Sequence, residues 1–425
     1  MSRLLSKGNR AHRPMLESLE SRLFLSVTQT PHFGSASFNI TTFGASTKAS
    51  NNASAIQNAI NAASAAKGGG TVIVPAGTFL SGPLALKSNV NIQINGELQM
   101  LAKGSWPSAS VSFLTGQHLT NIEISGNGRI DGQGKAWWSS TSTRPREVVI
   151  SNSSVIELTG VTFTNAPMEH IQIQNTSSQI TINGIKVSTD VGEANKSHNT
   201  DGIDLSGQHA IVENCQITTG DDNLAIGANS STAGGTSDIT VTHNIFGGTG
   251  GVSSHSLQGH GLSIGSHTEN GVSGVFESGD TFNGTDNGIR IKSVASEGGI
   301  VSNIHYSNDT LNNIRQYAIL LDPVYPAIPE PPSTSSGATR PEFTNIHFMN
   351  IKENNCASAG YILGLPNQPA TNITLQISGT ASSPFELAFA GTSSSPIDFT
   401  GSTFTVNGKT AGRVKLFTGA HAKGF

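Results

Sequence analysis

Along most of the chain, apolar residues alternate with polar ones in short runs, and turn residues separate the runs. Thr71-Val-Ile-Val74, Leu84-Ala-Leu86 and Val90-Asn-Ile-Gln-Ile94 set the pattern, which predicts short strands. One segment departs from it. From Ser54 to Ala66 the apolar residues fall at helical spacing, with Ser54 or Asn52 placed to cap the start and Gly68-Gly69-Gly70 to end it; this predicts the one substantial helix. Alternating segments then recur at Val155–Leu158, Ile180–Ile182, Ile211–Val212, Ile239–Val241, Ile300–Val301, Ile346–Phe348 and Ile373–Leu375. The first four start 25, 31 and 28 residues apart, close to the roughly 20 to 30 residues of one solenoid coil. Coils built from strands and turns stack their inward Ile, Val and Leu into one continuous core, which predicts an all-β, single-stranded parallel β-helix with the helix as a short N-terminal cap. A β-propeller is the alternative, but its longer blades and recurrent Trp or Gly-His markers are not found.

Two stretches break the rhythm. Asp322 to Pro341 holds six prolines and is predicted to be a long unpaired loop. The Gly- and Ser-rich segment 246–259 is predicted to loop out over a cleft.

Charged residues are 12% of the 425, about half the ~25% of an average globular chain. The net charge of −4 lacks the basic footprint of a nucleic-acid binder, so any anionic ligand needs locally placed Arg or Lys. Cys215 and Cys356 are too few for a disulfide framework or a Cys-based zinc site, and no bridge is expected. No apolar run reaches the ~18 residues of a membrane span, and no ordinary signal peptide is visible. Residues 1–30 are set apart by Arg3, Lys7, Arg10, Arg13 and Arg22. Within them Leu16–Ser26 resembles the L-E-x-R-x-L-L tag that opens many exported bacterial proteins; a disordered basic tail is the other reading. Residues 31–425 are expected to form a single domain.

The densest polar group is His198-Asn-Thr-Asp201-Gly-Ile-Asp204, followed by Gly220-Asp221-Asp222-Asn223, with Asp221 and Asp222 lying 20 and 21 residues after Asp201. Residues one coil apart sit side by side at about 4.8 Å, so three carboxylates are predicted to converge. Crowded carboxylates cannot all ionise easily; one keeps its proton as an acid while another remains a base, the pairing that glycoside hydrolysis requires. An Asp-rich turn and a calcium site use the same residues. Gly259-His260-Gly261 adds an imidazole on a close-approach loop, and Arg290-Ile-Lys292 places two cations on one strand face, about one coil further on. Cations beside an acid cluster suit a substrate that bears carboxylates.

The ordered set Asn199-Thr-Asp201, Gly220-Asp-Asp222, Gly259-His-Gly261 and Arg290-Ile-Lys292 resembles the signature of the polygalacturonases, glycoside hydrolase family 28. Phe43-Gly-Ala45, Gly68–Gly77, Gly128–Gly134 with Trp137-Trp138, and Asn165–His170 resemble further family segments. The resemblance implies a right-handed β-helix that cleaves alpha-1,4-galacturonosyl linkages with inversion and without a cofactor or metal. It implies Asp221 as general acid, Asp201 and Asp222 activating water, and His260 tuning the acid. Arg290 and Lys292 would hold the uronate carboxylate, Asn199 would contact substrate, and Tyr325 would pack on the sugar. Asn223, where many relatives have Cys, and Glu169, where an aromatic is common, are departures that bear on subsites. The expected partner is an acidic polysaccharide such as pectin or polygalacturonate, with no nucleic acid and no membrane span; the expected protein is an exported monomer. Rhamnogalacturonan hydrolysis, calcium-dependent pectate lysis on the same fold and a non-catalytic adhesive solenoid are the rivals.

Overall fold

The computed structural model describes residues 28–140, 143–189, 197–248, 259–295, 298–326 and 340–425. Among them, 34 strands join in one continuous sheet that winds into a right-handed parallel β-helix, the hand that β-strand crossovers take. Each coil contributes three short strands, and each strand pairs in parallel with its counterpart in the next coil. On the first face Ile122, Ile156, Ile180, Ala210, Ile239, Val275, Ile304, Ile346 and Ile373 stand in register. All are buried; the repeat read in the sequence follows this inner column at Ile180, Ile239, Ile346 and Ile373, but Val155, Ile211 and Ile300 lie off it, the column there being Ile156, Ala210 and Ile304. Truncating one of the column's isoleucines to alanine costs about 2–5 kcal/mol.

Turns between faces are held by asparagine. Asn308, Asn350, Asn313 and Asn355 take left-handed φ of 61°, 55°, 54° and 56°, which Asn tolerates better than other side-chain-bearing residues. Their amides stack from coil to coil, Asn350 to Asn308 and Asn355 to Asn313 both at 2.9 Å.

The helix spans Ala53–Ala65 and buries Ile56, Ala59, Ile60 and Ala63 over the first coil. It covers strand edges that would otherwise present unpaired backbone groups. Asn52 precedes it, but its side chain does not cap the helix; it accepts from the Ser46 N–H at 2.7 Å and donates to the Leu80 carbonyl at 3.0 Å. Ser54, the other expected cap, lies inside the helix.

Two expectations need correction. The strand Tyr317–Tyr325 runs through the start of the proline-rich stretch, with Lys292 opposite Asp322 and a bulge that brings Val294 opposite Tyr325. Pro323 is accommodated at that irregularity, where no ladder hydrogen bond is required of it. Likewise Ile245–Gly247 is a strand, so the Gly/Ser-rich segment leaves the coil later than predicted. Residues 1–27, 249–258 and 327–339, on which the tag and most of both loop expectations fall, lie outside the described residues. Cys215 and Cys356 are buried free thiols. No helix among the described residues is long and apolar enough to cross a membrane.

Candidate active site

The site lies on the third face, where Ile171–Gln174, Ile203–Leu205, Asp222–Ile226, His260–Ile264, Asn287–Val294 and Tyr317–Tyr325 stack in that order. Ile203 pairs with Leu224, so the 21-residue spacing carries Asp201 alongside Asp222, and the Gly202 N–H donates to the Asp222 carbonyl at 2.9 Å. Asp222 pairs in turn with His260. The expected convergence is present. The 30-residue step from His260 to Arg290 is not one coil of register, because Leu262 lies opposite Ile289 and Ser263 opposite Arg290. Arg290 reaches back over Ser263 to the acid two coils away.

Asp222 is 2% exposed and is held by three donors: Arg290 Nη2 at 2.6 Å, Lys292 Nζ at 2.9 Å and Ser263 Oγ at 2.8 Å. Burial alone raises a carboxyl, but Arg290 and Lys292 outweigh it and hold Asp222 well below the ordinary carboxylate range. Asp221, its neighbour in sequence, goes the other way. Burial and the Asp222 charge raise it, against the opposing pull of Lys292, the Asn199 N–H and Arg290. Its carboxylate accepts from Asn199 N–H and Asp222 N–H, both at 3.0 Å. Asp201 is raised strongly by burial, then by Asp221, Asp204, Asp222 and Glu169. Two adjacent carboxyls whose environments drive them apart are the arrangement that separates an acid from a base.

His260 sits between two glycines that the fold requires. At Gly259, with φ +64°, a Cβ would come within 2.1 Å of the Asp221 carbonyl, and at Gly261 within 2.3 Å of Phe282. The Tyr317 N–H donates to Asn287 Oδ1 at 3.2 Å, which turns the Asn287 amide nitrogen toward His260 Nδ1 at 3.1 Å. The imidazole proton therefore rests on Nε2. Burial, then Arg290, push His260 down to about 3, so it is neutral at working pH.

These groups open on a groove of about 260 Å³ whose lining includes Asn199, Asp201, Asp221, Asp222, Lys292 and Tyr325. Lys292 Nζ lies 4.7 Å from the Tyr325 ring centroid. All eight residues singled out in the sequence are thus brought together, but both cations are engaged with Asp222. The departures are legible too. Asn223 is buried and accepts from the Thr219 N–H at 3.0 Å, closing the turn that presents Asp221. Glu169 lines the groove and pairs with Arg146 at 2.7 Å.

Asp221, Asp222 and His260 bring potential ligand atoms within 4.8 Å of one another. Both Asp222 oxygens already accept from cationic side chains, and a divalent ion there would face Arg290 and Lys292. The donor set does not fit a metal. Sequence reasoning missed Ser263 and Asn287; Ser263 had a signal as the polar position between inward Leu262 and Ile264, whereas Asn287 had none, because the 27-residue step that brings it to His260 is visible only in the register of the strands.

Among known proteins, a relative from Arabidopsis thaliana named as a probable polygalacturonase is 30% identical over 68% of this chain and 62% of its own length. An endo-polygalacturonase of Pectobacterium parmentieri is 31% identical over 70% of this chain and 76% of its own. The solved polygalacturonase from Erwinia carotovora ssp. carotovora superposes with a TM-score of 0.62 at 26% identity, covering 92% of this chain and 97% of that one. The family model for glycosyl hydrolases family 28 matches residues 66–387, through the whole stack that carries the acid pair, and the chain belongs to that family.

Proposed function

We propose that the protein hydrolyses the alpha-1,4-galacturonosyl linkages of polygalacturonate or pectin, with Asp221 as general acid and Asp222 as the carboxylate that activates water. One observation carries this reading: two adjacent carboxyls, of which the buried Asp222 is clamped by Arg290 and Lys292 and the half-buried Asp221 is not. An acid kept protonated donates to the leaving glycosidic oxygen, and a fixed carboxylate takes a proton from water. Asp201, in register with Asp222, shares the attacking water. His260, neutral with its proton on Nε2, donates toward the acid pair and limits their mutual repulsion.

Asp222 neutralises only one of the two cations, and Asp322, which faces both, is raised to about 6 mainly by burial, so below that pH Arg290 and Lys292 together leave a net positive charge at the cleavage point. That charge suits a uronate carboxylate there, and the Tyr325 ring beside Lys292 offers a face for the sugar. Asn199 at the rim contacts the next residue of the chain. Inversion is the stereochemistry that the family implies. A polymer of this size cannot enter a cell, and together with the tag-like Leu16–Ser26 segment this supports an exported enzyme; a monomer suffices, because every proposed group comes from one chain.

Digestion of polygalacturonate tests the reading. The expected products are saturated reducing ends whose release is insensitive to chelator, with the anomer first formed inverted by NMR. Asp221→Asn abolishes release while retaining fold and polymer binding. UV-absorbing unsaturated ends that depend on calcium would instead establish a lyase, and Asp221→Asn at wild-type rate would remove the acid from its role.

A further inference from the structure

Arg144 was not visible as functional from the sequence. It precedes the third-face strand Val148–Ser151, and at 2% exposure it is the largest fully buried side chain among the described residues. Its Nη2 donates to the His198 carbonyl at 2.7 Å, while among the described residues Nε and Nη1 have no hydrogen-bond partner. A buried guanidinium with two nitrogens unpaired is costly unless its charge is matched nearby. The charged groups facing it are Glu169, Asp201 and Asp221, with Arg146 opposing. Of these, Glu169 acts on Arg144 most strongly but also pairs with Arg146 at 2.7 Å, so Asp201 and Asp221 share with it in answering the Arg144 charge.

The hydrogen bond matters as much as the charge. His198 is followed by Asn199, a non-glycine residue at a left-handed φ of 50°, and the Asn199 N–H is the donor that seats Asp221 Oδ2 at 3.0 Å. The same corner is tied down by Thr200, whose hydroxyl donates to the Ser197 carbonyl at 2.6 Å and accepts from the Gly220 N–H at 3.1 Å. Arg144 therefore grips, by its carbonyl end, the same planar peptide unit whose N–H end aims the acid.

We propose that Arg144 is a positioning residue of the hydrolysis: it anchors the His198–Asn199 corner that hydrogen-bonds Asp221, and it supplies the buried positive charge beside Asp201 and Asp221. The assignment rests on the hydrolase reading for its kinetic consequences but not for its electrostatic ones.

Arg144→Met and Arg144→Lys test it. Methionine removes the charge and fills similar space, but it leaves the facing carboxyls without their cation, so the fold of this variant is checked first. In that variant kcat falls about 10- to 100-fold with KM within about twofold. The basic limb of the pH profile, set by loss of the Asp221 proton, moves to higher pH because a cation that faces Asp221 is gone. Lysine restores charge without the fork, so the limb returns while kcat remains about tenfold low. A basic limb at the wild-type pH in Arg144→Met, or a wild-type kcat there, overturns the assignment. Should Arg144→Met not fold, Arg144→Lys decides, and an unchanged kcat in it refutes the anchoring. A wild-type protein inactive on polygalacturonate defeats the hydrolase reading alone. Carboxyl-carbon NMR titration of aspartate-labelled protein then still reads Arg144 without substrate: aspartate transitions move to higher pH in Arg144→Met, or the assignment fails.

Discussion

Replacing Asp222 by asparagine separates its structural from its chemical role. The carboxylate receives Arg290 at 2.6 Å, Ser263 at 2.8 Å and Lys292 at 2.9 Å. Asparagine keeps one oxygen, in the Oδ1 place that accepts from both Arg290 and Ser263, but its NH₂ takes the Oδ2 place and meets the Lys292 ammonium donor to donor, and two buried cations lose their counter-charge. Breaking a buried pair from one side costs about 3–5 kcal/mol, in line with losing about two charge-assisted bonds at roughly 1.5–3 kcal/mol each. With an m-value of at least roughly 3 kcal/mol/M, the urea midpoint followed by tryptophan fluorescence falls by about 1 M. Loss of the general base lowers kcat by about 10² to 10⁴. The double variant Asp222→Asn/Lys292→Met removes the stranded ammonium; it recovers a large part of the midpoint and none of the activity. An Asp222→Asn midpoint equal to wild type, or a kcat within about threefold of it, refutes the clamp as described.

A second acid group, away from the groove, sets a pH dependence of stability. Glu277, Asp280 and Asp309 are buried; burial first raises all three, Asp280 to about 7 and Asp309 to about 6. Their unfolded values lie near 4, so the folded state binds more protons, and stability is full below about pH 4 and declines as pH rises toward 7. Thermal melts should fall between pH 4.5 and 7.5, and Glu277→Gln should flatten that slope; a melt that rises over the interval contradicts the assignment. Cys215 and Cys356 are each pushed up to about 12, mainly by burial, so a thiol reagent should label neither in native protein and both in urea.

The core column and the acid convergence were legible because both depend on one periodicity: a coil-length spacing puts Asp201 beside Asp222 as surely as it puts Ile156 beside Ile180. The capping helix was legible from its apolar spacing, but Asn52 is used to tie Ser46 to Leu80, a long-range demand that a local capping rule does not contain. The Arg290 contact shows the same limit. Sequence spacing put Arg290 near the acids, but only the register opposite Ser263 shows that its side chain spans two coils to Asp222. Proline content misjudged Pro323 because a bulge supplies the tolerance. Arg144 carried no signal, since nothing in one dimension distinguishes a buried guanidinium from a surface one.

The third face has a consequence for how such a protein can change. Because the chemistry is confined to a few neighbouring rungs, whole rungs added or removed nearer the capping helix would lengthen or shorten the groove while leaving the reacting atoms where they are. A single-residue slip in any strand between Ile203 and Tyr325 would instead turn catalytic groups into the core. Descendants of this scaffold can therefore vary in reach by modular steps, whereas their cleavage machinery is locked to one alignment.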